Sequence, residues 1–153
     1  MSASVRLAVV ALVMGLVLPL AGCGGDERTI DDYCAALKAG QKQIAEMIES
    51  PSPTALLSNL SMLQGLAKEA PDDLTDEWQT FLGAVEGLED ALDDAGVKPS
   101  DFEDGRPPAG LSAADRKAIA AAATQITTDE VSAAASGIDQ QARDVCKLNL
   151  GLA

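Results

Sequence analysis

The sequence predicts an all-α fold: an up-and-down bundle of four to five helices, stapled by one disulfide and preceded by a cleaved signal peptide. Three features carry this expectation. Apolar residues recur three and four apart through the body of the chain, without the alternation of strands. Proline and glycine divide that body into segments of helical length. Two of the three cysteines, Cys34 and Cys146, stand near the two ends of the folded region. Antiparallel neighbours joined by short connections would bring those ends together.

The leader comes first. Arg6 is the only charge before Asp26, and it precedes an apolar run of twelve residues from Leu7 to Leu18. A positive start, an apolar run and small residues before a cut site form a secretory signal peptide. A membrane-spanning helix would need roughly 20 apolar residues, and Gly15 and Pro19 interrupt this stretch. The tetrapeptide Leu20-Ala21-Gly22-Cys23 resembles the lipobox of bacterial lipoproteins and sits where that motif belongs. The resemblance implies diacylglyceryl transfer to the Cys23 thiol and cleavage between Gly22 and Cys23. It places the protein outside the cell, held by its N-terminal lipid on the outer face of the cell membrane. Residues 1–22 are then signal peptide, 23–28 a lipidated cysteine with a flexible tether, and 29–153 the helical domain. Loss of residues 1–22 would leave 131 residues with 10 basic against 24 acidic side chains, a net charge of −14.

With Cys23 taken by lipid, Cys34 and Cys146 form an even pair in an exported chain, which points to a disulfide. Two free thiols or a metal site are the alternatives. Two cysteines without a histidine make a poor zinc site, and their spacing fits no redox pair.

The helices follow in order. Thr29 is an N-cap candidate, with Asp31 and Asp32 in the positive first turn. Ile30, Cys34, Leu37, Gln41, Ile44 and Ile48 form a stripe that puts Cys34 on the buried face, flanked by Tyr33. Pro51 and Pro53 break this helix, and Ser52 caps the next with Pro53 at its first position. Leu56, Leu57, Leu60, Leu63, Leu66, Ala67 and Ala70 make the inner face of that second helix. Pro71 with Asp72 and Asp73 opens the third, whose stripe of Leu74, Trp78, Phe81, Val85, Leu88 and Leu92 is the cleanest in the chain. Gly96 ends it, and residues 97–110 read as the one long loop. Ser112 caps a fourth helix lined by Ile119, Ala122, Ala123 and Ile126. Thr128 and its neighbours either cap a fifth helix or kink one long one; its stripe is Val131, Ala135, Ile138, Ala142 and Val145. The run Asp32-Tyr33-Cys34-Ala35-Ala36-Leu37, the Ala/Asp-rich body and Asp144-Val145-Cys146 resemble small actinobacterial lipoproteins. That resemblance implies location and fold but no site.

Chemistry is harder to find. The chain has no histidine, which removes the commonest general base and any Ser/His/Asp triad. A net charge of −13 over the full chain argues against nucleic acid as a partner. Aromatic residues make up 3%, too few for a stacking platform, and Trp78 and Phe81 belong to a core stripe. The acidic pairs at 31–32, 72–73, 76–77, 89–90 and 93–94 read as solvated, dipole-favourable surface. Asp101 to Gly105 fails the spacing of a calcium loop. The expected protein is therefore non-enzymatic, without cofactor or metal, with a protein-interaction or structural role at the cell envelope. The alternative is a lipid- or small-molecule-binding lipoprotein, and a continuous inter-helix cavity of several hundred Å³ would favour it.

Overall fold

The computed structural model describes residues 29–49, 52–102 and 106–152. Helix α1 (Ile30–Glu49) opens where Thr29 caps it: the Thr29 hydroxyl accepts from the Asp32 N–H at 3.1 Å and donates to the Asp32 carboxylate at 2.5 Å. Its buried face is Tyr33, Leu37, Gly40, Ile44 and Met47, one position round from the expected stripe. Cys34, Gln41 and Ile48 are half-buried and Ile30 is 37% exposed. Gly40 lies on this buried face, where a Cβ would be in ordinary contact with Met62 Sδ at 3.5 Å, so packing against the next leg of the fold covers the face.

That next leg is two helices where one was expected. Ser52 caps α2 (Pro53–Ser58) by accepting from the Ala55 N–H at 3.0 Å. The helix then breaks at Asn59 and resumes as α3 (Leu60–Glu69). In an unbroken helix the Asn59 N–H would donate to Ala55 O. Here the Asn59 side chain takes that carbonyl at 2.8 Å, while its N–H turns to Leu56 O at 3.1 Å. Leu60, Leu63, Leu66 and Ala70 are buried, and Leu56, Leu57 and Ala67 half-buried.

After Pro71, Asp72–Leu74 form a 3₁₀ turn, and α4 (Thr75–Asp94) starts three residues later than Asp72, where the sequence placed it. All six residues of its predicted stripe are buried, with Leu82 beside them. Gly96, at φ 66°, closes it: its N–H reaches Asp93 O at 2.9 Å and that of Val97 reaches Leu92 O at 3.0 Å. Pro99–Asp101 add a second 3₁₀ turn within the expected loop. Ser112 then caps α5 (Ala113–Gln125), and Thr128 caps α6 (Asp129–Asp144). These are separate helices. The Thr127 and Thr128 hydroxyls donate to the carbonyls of Thr124 and Gln125, both at 2.9 Å, and finish α5.

The described residues thus hold six α-helices, all packed together, where four to five were expected. The break at Asn59 is the boundary beyond that expectation, and the turn between α5 and α6 settles the alternative of a fifth helix or a kink in favour of two helices. Helix α4 is the hub, packed against α2, α3, α5 and α6, while α1 packs on α3. Tyr33 of α1 and Trp78 of α4 share a hydrogen bond, so the starts of these two helices lie at one pole. The apolar residues divide into two groups along α4. Leu74 to Val85 join α1, α3 and α6 in the larger core. Leu88 and Leu92 join Ile119 of α5 in a smaller one.

Candidate functional site

Four residues singled out by the sequence, Leu20, Ala21, Gly22 and Cys23, lie outside the described residues. The other two, Cys34 and Cys146, stand at disulfide distance: their Cα atoms are 5.1 Å apart across a sequence separation of 112. This is inside the roughly 4.4–6.8 Å range of bonded pairs. Cys34 lies in the first turns of α1 and Cys146 just beyond α6, and both are half-buried.

Tyr33, beside Cys34, is fully buried and accepts from Trp78 Nε1 at 3.1 Å. Burial raises its phenol to about 12. The Trp78 bond opposes that rise and the Asp73 carboxylate adds to it. A neutral tyrosine locked on an indole is a packing element; a base would need to lose that proton far below such a value. The acidic pairs are exposed, save for half-buried Glu77. Its Oε2 is shielded without a hydrogen-bond partner, and its stem packs on Gly137 of α6, where an added Cβ would meet Glu77 Cγ at 3.0 Å. Among the described residues no group of three potential ligands could hold a metal ion, and no helix is long and apolar enough to cross a membrane.

A buried charge near the other end of the chain went unforeseen. Asp139 of α6 is 0% exposed. One carboxylate oxygen pairs with Arg143, a turn further along. The other accepts from the N–H groups of Leu150 and Gly151 at 3.0 and 3.1 Å. Lys147, at φ 59°, turns the chain after α6, and Leu148 N–H donates back to Ala142 O at 3.0 Å. The tail then runs between α1 and α6: Gln41 donates to Asn149 O at 3.4 Å, and Gly151 faces Ile48. Leu150 is buried, and Leu148 and Leu152 pack on the larger core. In sequence, Asp139 with Arg143 reads as an exposed i,i+4 pair, so nothing local marks it as the tail's anchor.

The other pole holds a cleft. Around the smaller core, a cavity of about 370 Å³ opens among the start of α2, the last turns of α4, the second 3₁₀ turn and the first half of α5. Leu57, Leu88, Leu92, Phe102, Leu111 and Ile119 form its greasy wall. The hydroxyl residues Ser52 and Thr54 stand at its edge, and among the described residues Arg116 is the one charged side chain along it. Arg116 is exposed; its backbone N–H donates to Ser112 O at 3.1 Å, and among the described residues its guanidinium makes no hydrogen bond or ion pair. Leu57, Leu88, Leu92 and Ile119 belong to predicted helix faces, but Phe102 comes from the stretch read as loop and Leu111 lies between that stretch and the Ser112 cap, so no single periodicity in the sequence marks this wall. A volume of several hundred Å³ with mostly apolar walls and few polar groups is the form of a small-molecule site.

No protein family, curated protein or solved structure matches the chain.

Proposed function

We propose that the protein is a non-enzymatic, lipid-anchored envelope protein that binds an apolar small molecule or lipid in the cleft between α2, α4 and α5. The cleft carries this reading, since its size and lining are those of a ligand site rather than a packing fault. The interaction role that the sequence favoured has less behind it. Among the described residues Ile30 and Val145 (49% exposed) are the large apolar side chains on the surface, a sparse basis for a protein-docking face. The anchoring half of the proposal rests on the leader and the lipobox-like Leu20-Ala21-Gly22-Cys23, with Cys23 acylated and the domain outside the cell. An oxidising compartment would also close Cys34 on Cys146. We further read the helices as an up-and-down bundle whose second leg is α2 with α3 and whose last is α5 with α6. The shared pole of α1 and α4 supports this order, with α3 between them in sequence and packed on both.

Two measurements test the two halves. The intact mass of the membrane-extracted protein is expected to show an acylated Cys23 as first residue; a retained leader overturns the anchor. Native extraction followed by mass spectrometry of the organic phase is expected to find an amphiphile in stoichiometric amount. The same preparation of an Ile119→Trp variant, with the cleft filled, is expected to lack it. Identical extracts from both proteins overturn ligand binding at the cleft.

A further inference from the structure

Building on the cleft as a ligand site, we propose that it selects a single-chain amphiphile bearing one negative charge, a long-chain carboxylate, with its head group on Arg116. The chain carries an excess of acid over base of 13, so an anion is repelled by most of the surface. Arg116 is an exception placed where it matters. It lines the mouth of the apolar cavity in the first half of α5, and no described carboxylate neutralises it. A guanidinium presents parallel N–H donors that match a carboxylate in a two-bond fork. One cation balances one charge; a phosphate monoester head, nearer two, would keep an uncompensated charge against an acidic protein. Ser52 is a further polar residue along the cavity. Its oxygen is occupied in capping α2, which leaves its hydroxyl hydrogen free to donate. Below the head, Leu57, Leu88, Leu92 and Ile119 offer only hydrocarbon, which suits an alkyl chain and no second polar group.

The cleft also lies well away from the start of the described chain at Thr29. It meets α4 at Leu88 and Leu92, whereas the chain enters the domain at Thr29, beside the Tyr33–Trp78 pole. From Trp78 to Leu92 an α-helix rises roughly 20 Å. The cleft therefore samples the aqueous side of the envelope, where a single-chain carboxylate is a diffusible species and a two-chain membrane lipid is not.

The test is titration calorimetry on the chain from residue 23 with Cys23→Ser, which cannot be acylated, using decanoate and 1-decanol below their aggregation limits. Decanoate is expected to bind about tenfold more tightly than decanol, the value of one charge-assisted pair. Arg116→Gln is expected to reduce decanoate to the decanol affinity and leave decanol unchanged. Ile119→Trp is expected to abolish both; should it fail to fold, Ala123→Phe blocks the same wall. Equal affinities, insensitive to Arg116→Gln, overturn the anionic head group and leave an apolar ligand site standing. No binding of either probe overturns both.

Discussion

The two ends of α4 do different work with similar residues. Near its start, Trp78, Phe81 and Val85 are enclosed by α1, α3 and α6, the one indole N–H is matched by Tyr33, and the docked tail seals the α1–α6 seam. Near its end, Leu88 and Leu92 meet only α5, a short α2 and a loop, and a cavity of about 370 Å³ remains. Apolar patterning along the helix is equally good at both ends. What differs is how many elements come to cover it. Closure is a property of the surrounding helices, and a void arises where they are too short to meet.

The largest effect should come from the closed end. If Cys34 and Cys146 are bonded, converting both to serine removes a staple that constrains a loop of 112 residues, worth up to about 5 kcal/mol by chain entropy. Denaturant melts of the oxidised and reduced protein check this, and coincident curves would show that the staple contributes nothing. Next, Leu37→Ala in the sealed core should lower stability by about 4 kcal/mol, while Leu92→Ala beside the cleft should lower it by about 2 kcal/mol, because a void already open to solvent gains no trapped cavity. Equal losses in the same melts would erase the contrast between the ends. Asp139→Ala should lower stability by about 2 kcal/mol, since it strands the buried Leu150 amide and removes the acceptor of the Gly151 amide and of half-exposed Arg143. Hydrogen exchange should then speed first at residues 148–152, and uniform exchange across the chain would refute the anchoring role.

The smallest effect is alkaline. Tyr33 holds its proton to about 12 in the fold, against about 10 when unfolded. The unfolded chain therefore loses that proton first as pH rises, so stability is intact below pH 10 and declines between about pH 10 and 12 by up to about 2 kcal/mol. Tyr33→Phe should flatten this slope relative to the parent protein, and a slope shared by both would assign it to other groups.

The most legible element was α4, because its stripe contains only large apolar residues and each is buried. Helix α1 carries two stripes of equal regularity one position apart. Hydropathy preferred the one holding Ile30 and Ile48, whereas packing chose the one holding Tyr33, Gly40 and Met47, and a glycine carries little hydropathic signal even where it is buried. The break at Asn59 depends on a side chain competing for one carbonyl, which no periodicity records. Asp139 was hidden because its partners are an arginine one turn away and two backbone amides eleven and twelve residues on. The cleft was invisible for a different reason. Its walls come from segments far apart in sequence, and an unfilled volume belongs to none of them.

The link between Cys34 and Cys146 has one more consequence. Once formed, it makes everything from the first turns of α1 to the end of α6 a covalent ring, with only Thr29 to Tyr33 and the tail of the described chain outside it. A protease that cuts a single bond inside the ring would open it without freeing a fragment. Both walls of the cleft would stay covalently joined, and the nick would become visible only on reduction.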